Sequence, residues 1–228
     1  MSGRSENIAS PVQSLSERPP ESARRYRAVA VGASAGGLQA LTDILGGLAA
    51  DFALPILVVQ HLHATDDGRF AAHLDQSTRL TVVDARDKEP ILPGQVYVAP
   101  ANYHMLVERD ETIALSIDER VNHSRPSIDV LFESAAHVFG ARLIAVILSG
   151  ASADGALGMH TVVTVGGFGI AQDPASAEHP VMPRAAIAAA RVETVLSPQS
   201  IAQKLSELDR RSARRGRAQN ETVAGERK

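Results

Sequence analysis

A serine stands between two glycines in Gly32-Ala33-Ser34-Ala35-Gly36, directly after the apolar run Ala28-Val29-Ala30-Val31 and before Leu38-Gln39-Ala40-Leu41. Small residues on either side of a serine let a strand turn sharply into a helix. The turn lifts the hydroxyl above the sheet and aims the first N–H groups of the helix at a developing oxyanion. A histidine, His61, follows the run Ile56-Leu57-Val58-Val59-Gln60, and an aspartate, Asp154, follows the run 142–149 through Gly150-Ala151-Ser152-Ala153. A serine hydroxyl needs a base at neutral pH. A neutral imidazole can take its proton, and a carboxylate can fix the imidazole tautomer and stabilise the imidazolium. Ser34, His61 and Asp154 are therefore the candidate parts of an acyl-transfer site.

Each part also has a plainer use. A glycine-rich turn after a first strand binds dinucleotide phosphates or lets a helix pack closely on a sheet. His61 reads equally as a hydrogen-bonded histidine at a strand end, and Asp154 as the cap of the helix it precedes. The dinucleotide reading expects an acidic residue at the end of the second strand, where this chain has Gln60-His61. A Walker-type loop needs a Gly-Lys-Ser/Thr that does not follow these glycines. His61 and His63 are two residues apart with no evident third zinc ligand, so neither a metal nor a cofactor is expected.

The three residues meet only if they lie at the carboxyl ends of neighbouring parallel strands, where sites form in open α/β sheets. Apolar runs predict strands near 26–32, 55–60, 80–84, 95–99, 142–149, 168–172 and 192–196. Helical periodicity predicts helices over 36–48, 68–77, 127–139, 155–165, 183–190 and 198–209. The run 55–60 is apolar up to Gln60, and 143–148 is continuously apolar, as in strands covered on both faces. The alternation predicts an α/β fold: a doubly wound, mostly parallel sheet with helices on both faces. Gln95–Ala99, His104–Val107 and Thr112–Leu115 lack intervening helices and read as a small antiparallel hairpin insert.

The chain has 228 residues, enough for one sizeable α/β domain. Residues 1–24 read as a disordered tail and 25–209 as the catalytic domain. Residues 210–228, with Arg210, Arg211, Arg214, Arg215 and Arg217, read as a basic disordered tail. The absence of cysteine removes thiolate chemistry and disulfides. A net charge of −3 and 4% aromatics give no platform for nucleic acid. No apolar run is long enough to span a membrane, and the first 25 residues lack the apolar core of a signal peptide. A cytoplasmic protein with no membrane insertion is expected.

Longer motifs carry a resemblance. Val31–Gly37, Val59-Gln60-His61, Leu92–Pro100, Arg125–Phe132, Val146–Gly150 with Asp154-Gly155-Ala156, Ile170–Asp173 and Met182–Ile187 occur in the order found in chemotaxis protein-glutamate methylesterases. Over roughly 27–205 the chain resembles the catalytic domain of this CheB family. The resemblance implies a serine hydrolase that removes methyl esters from glutamate side chains on the cytoplasmic helices of methylated chemoreceptors, in chemotaxis-type signal transduction. It also implies deamidation of receptor glutamines. It carries the family triad onto Ser34, His61 and Asp154, and a backbone N–H near the oxyanion onto the 151–153 loop.

Three departures stand beside it. A member without a receiver domain before the first strand is expected, with constitutive activity or control by a separate regulatory protein. The family's Gly-Met-Gly-Asn-Asp-Gly is Gly150-Ala151-Ser152-Ala153-Asp154-Gly155, and the usual Thr after the nucleophile is Ala35. These changes keep open a second reading, a weakly active or non-catalytic interaction module of a chemosensory pathway. Ser127 is expected to cap the helix after it, and Arg125 or Arg184 to face an acidic receptor helix at the site's mouth.

Overall fold

The computed structural model describes residues 26–62 and 69–225. Seven parallel strands form one sheet: β1 (Ala28–Ala33), β2 (Ile56–Gln60), β3 (Thr81–Asp84), β4 (Gln95–Val98), β7 (Leu143–Ile147), β8 (Phe168–Gln172) and β9 (Thr194–Leu196). Their order is β3-β4-β2-β1-β7-β8-β9. A separate antiparallel pair, β5 (His104–Val107) and β6 (Ile113–Ser116), forms the hairpin. The helices are α1 (Gly37–Gly46), α2 (Phe70–Asp75), α3 (Ile128–Phe139), α4 (Ala156–Thr164), α5 (Val181–Ala190) and α6 (Pro198–Gly225).

Strand alternation sorts the core into two layers. Val29, Val31, Ile56, Val58, Ile144 and Val146 face one side, where α1, α2 and α6 pack. Ala28, Ala30, Leu57, Val59, Leu143, Ala145 and Ile147 face the other, where α3, α4, α5 and the hairpin pack. Every residue of β1, β2 and β7 is buried, which is why these strands read as largely apolar runs rather than alternating ones. On α3 the residues Ile128, Leu131, Phe132, Ala135, Ala136 and Phe139 recur at helical spacing and turn one stripe to the sheet.

From β1 the chain winds outward through β2 to the β3–β4 edge, then returns by the hairpin and α3 to β7 on the other side of β1. The winding therefore reverses between β1 and β7, and a crevice opens there beyond the carboxyl ends of the strands. Ser34 follows β1 at this point.

Two expectations change. Gln95–Val98 is not part of the hairpin excursion: β4 lies between β2 and β3, parallel to both. The chain passes from β3 to β4 without a helix, so the sequence lacks the usual mark of a parallel crossover. The Tyr97 hydroxyl secures that connection, accepting from Leu92 N–H at 2.9 Å and donating to the Pro90 carbonyl at 3.0 Å. The last helix does not end at 209. It continues to Gly225, because Ala, Arg, Gln and Glu after 209 are good helix formers. Ser212 is buried within it and accepts the Tyr26 N–H at 3.0 Å, tying this helix to the start of β1. The tail expected at 1–24 lies outside the described residues. No described helix is long and apolar enough to cross a membrane.

Candidate active site

The paired register of β1 and β2 sets Ala33 beside Gln60, so Ser34 and His61 are the next residues out on adjacent strands. The His61 N–H donates to the Ala33 carbonyl at 3.0 Å. Gln60 holds the two turns together, its Nε2 donating to the Ser34 carbonyl at 2.8 Å and to the His61 carbonyl at 3.1 Å. On the other flank the Ser34 N–H donates to the Ser149 carbonyl, beyond β7, at 2.9 Å. The Ser149 side chain is buried and donates to the Ala35 carbonyl at 2.8 Å while accepting the His179 N–H at 2.9 Å. The serine turn is thus fixed to the ends of both neighbouring strands.

Both glycines of the motif have a steric reason. A Cβ on Gly32 would lie 2.3 Å from Ile128 Cγ2, so α3 can cover the strand only where there is no side chain. Gly36 has a φ of 72°, and a Cβ there would lie 2.7 Å from Glu178 Cβ and 2.8 Å from Ser149 Oγ.

His61 Nε2 and Asp154 Oδ2 are 2.8 Å apart. The histidine side chain keeps 15% of its surface exposed, whereas Asp154 is 1% exposed. Asp154 does not cap the helix it precedes, since α4 starts after Gly155 at a φ of 89°. Its carboxylate reaches across to the start of α3 instead. Oδ2 accepts the Ile128 N–H at 2.7 Å, and Oδ1 accepts the Ser127 hydroxyl at 2.9 Å, Asn122 Nδ2 at 3.0 Å and the Asp129 N–H at 3.3 Å. Ser127 occupies the cap position of α3, as expected, but its hydroxyl donates to Asp154 rather than capping. Burial alone would push the Asp154 carboxyl up. The hydrogen bonds from His61, Asn122, Ile128 and Ser127 outweigh burial and lower it from 3.8 to about 2. The group is therefore held as a carboxylate, an acceptor only, at the positive end of a helix.

Three residues important to this geometry went unassigned in the sequence: Asn122, Gln60 and Ser149. Asn122 is the least visible. It sits at a φ of 52° in a tight turn closed between Val121 and Ser124, and the one available signal was asparagine's tolerance of that conformation. Of the two arginines expected at the mouth, Arg125 lines a pocket beside His61, while Arg184 is exposed on α5. His63 lies outside the described residues. Among the described residues the N–H groups of Ala35 and Ala151 have no protein acceptor, whereas the Gly150 N–H is committed to the His179 carbonyl at 2.9 Å.

Serine, histidine and aspartate lie at the carboxyl rim of one parallel sheet; His61 is bonded to Asp154, and among the described residues the Ser34 hydroxyl makes no hydrogen bond to His61, so the three supply the residue types of a serine hydrolase without a closed serine–histidine contact. Comparison with known proteins narrows that class. A family model described as CheB methylesterase matches residues 29–205. A Leptospira interrogans protein named for protein-glutamate methylesterase/protein-glutamine glutaminase is 48% identical over 184 residues, covering 81% of this chain and 95% of its own. A Pseudomonas aeruginosa protein-glutamate methylesterase/protein-glutamine glutaminase is 40% identical over 205 residues, 87% of this chain and 58% of that one. The crystal structure of the Thermotoga maritima CheB methylesterase catalytic domain superposes with a TM-score of 0.77 at 34% identity, covering 80% of this chain and 98% of that domain. The chain belongs to the CheB methylesterase family.

Proposed function

We propose that this chain is a carboxylic ester hydrolase that removes methyl groups from γ-glutamyl methyl esters on chemoreceptors, with Ser34 as nucleophile, His61 as general base and acid, and Asp154 as the group that orients His61. The observation that carries this reading is the 2.8 Å contact between His61 Nε2 and a buried, ionised Asp154. A carboxylate can only accept, so Nε2 carries the proton and Nδ1 of the neutral ring is the basic nitrogen. Family membership supplies the substrate class, and the relatives' names add glutaminase activity.

Nδ1 takes the Ser34 hydroxyl proton as Oγ bonds to the ester carbonyl carbon. Negative charge develops on the carbonyl oxygen, which the N–H groups of Ala35 and Ala151 are free to receive. The tetrahedral state collapses, the C–O bond to the methoxy group breaks, and the imidazolium returns its proton to release methanol. Water, deprotonated by His61, then attacks the acyl-serine. Its collapse restores Ser34 and leaves the glutamate carboxylate. A glutamine side chain follows the same course with ammonia as leaving group. The departures at Ala35 and Ala151 leave backbone donors in place, since an alanine N–H donates as well as that of threonine or methionine.

The proposed catalytic unit is 25–209, with the observed helix carrying the folded part at least to Ser212. We place the protein in the cytoplasm, with the cytoplasmic helices of methylated receptors as its substrates. Receptor fragments carrying labelled methyl esters test the reading. The chain liberates labelled methanol from them; a well-folded chain that liberates none refutes it.

A further inference from the structure

The loop between β6 and α3 does more than hold Asp154. A shallow pocket opens directly beside His61, lined by His61, Asn102, Arg120, His123, Ser124 and Arg125 among others. Among the described residues its lining includes two arginines and no carboxylate, although the chain as a whole carries a net charge of −3. Asp118 and Glu119 precede Arg120 in the chain but do not line the pocket. Arg125 Nη1 donates to the backbone carbonyls of Ile117 at 2.6 Å and Asp118 at 2.9 Å, which fixes its guanidinium. Arg120 is exposed, and among the described residues it reaches only the His123 carbonyl, at 3.5 Å. Among the described residues neither arginine forms an ion pair. The wall is also set in place by unusual backbone. Asn122 and His123 both hold positive φ, 52° and 63°, so that Asn122 reaches Asp154 while His123 lines the pocket.

Two guanidinium groups that form no ion pair among the described residues, around a concave site beside the proposed general base, select an anion. The geometry points to a substrate subsite in which Arg120 and Arg125 receive the carboxylate of an acidic residue flanking the reacting side chain. This inference rests on the reading of the chain as a methylesterase and adds the local sequence that the ester must occupy. On a helical substrate, side chains three or four positions apart share a face, so the acid belongs one turn from the ester. Arg120 is a specificity residue here. It takes no part in the bond changes at Ser34.

The test uses the full chain carrying Ser34→Ala, so that esters bind without turnover. Helical peptides each present one γ-methyl glutamyl ester, with either Glu or Gln at the third or fourth residue on one side or the other. Calorimetry should give about tenfold tighter binding for Glu than for Gln at one or more of these positions, as expected for a charge-assisted contact. The preference should fade in 1 M salt, where screening acts over about 3 Å. Adding Arg120→Gln should bring the ratio close to one, and Arg120→Lys should restore part of it. Arg120 is exposed, so its replacement leaves the fold intact, and a thermal melt checks this. Equal affinity for Glu and Gln peptides at every position, no binding of either, or a ratio unmoved by Arg120→Gln overturns the subsite. Methanol release by the unsubstituted chain is read separately, so loss of the esterase reading and loss of the subsite are distinct results.

Discussion

Asp154 and Asp129 each cap the helix that the other begins. Asp154, which precedes α4, accepts the Ile128 N–H at the start of α3 at 2.7 Å, and Asp129, in the first turn of α3, accepts the Gly158 N–H at the start of α4 at 2.7 Å. Asn122 joins the exchange, its Nδ2 donating to Asp129 at 2.7 Å and to Asp154 at 3.0 Å. The proposed orienting carboxylate is thus built into the packing of two helices. Its free oxygen capacity goes to His61, so the imidazole inherits the rigidity of the α3–α4 contact.

Asn122→Ala removes the donor shared by both carboxylates. Two buried acceptors lose a partner, which should lower stability by about 1–3 kcal/mol. Asp154 then orients His61 less well, and kcat should fall roughly tenfold with little change in KM. Steady-state kinetics beside a denaturant titration checks both. A normal kcat at reduced stability would show that Asn122 supports the fold alone.

Acid should act on Asp154 in a defined window. Its carboxyl is lowered from 3.8 to about 2 in the folded chain, so its contribution to stability is complete above about pH 4 and is lost as pH falls through about 2. The contribution is on the order of 2 kcal/mol. Asp129 works in the opposite sense. Burial raises its carboxyl, so the folded chain takes up that proton at a higher pH than the unfolded chain and partly offsets the loss. Urea unfolding between pH 5 and pH 2 should show a smaller pH-dependent loss in Asp154→Asn than in the unsubstituted chain. Parallel curves would contradict the assignment.

Gly32→Ala should damage the site from below. The new methyl group meets Ile128 Cγ2 at 2.3 Å, and Ile128 supplies the shortest backbone donor to Asp154. Overpacking of this kind costs about 1–3 kcal/mol. Because α3 must shift, activity should fall by more than the loss of folded protein explains. Specific activity corrected for the folded fraction measures this, and an unchanged corrected value would contradict it.

Much of this architecture could be read from residue pattern. Fully buried strands announce themselves as apolar runs, unbroken in 143–147 and interrupted in 56–60 only by the terminal Gln60, and α3 shows its stripe plainly. Ser34 and His61 stand out as candidates because each directly follows such a run, and Asp154 because it lies a short turn beyond one. What escaped depends on contacts distant in sequence. β4 enters the sheet without a helix before it, so its four residues resemble a hairpin arm. The helix past 209 looks too polar to fold until Ser212 is seen bonded to Tyr26, 186 positions away. Asp154 looks like the cap of its own helix because sequence shows neighbours along the chain, and the partners of its carboxylate lie at least 25 residues away.

The central claim is that Ser34 is the nucleophile of an esterase site built on His61 and Asp154. Ser34→Ala removes one oxygen that has no partner among the described side chains, so the variant should fold and melt like the unsubstituted chain. The deciding measurement is methanol release from a methyl-labelled receptor fragment by the two proteins side by side. Release should fall at least about a thousandfold in Ser34→Ala. Release at an equal rate by both proteins would contradict it.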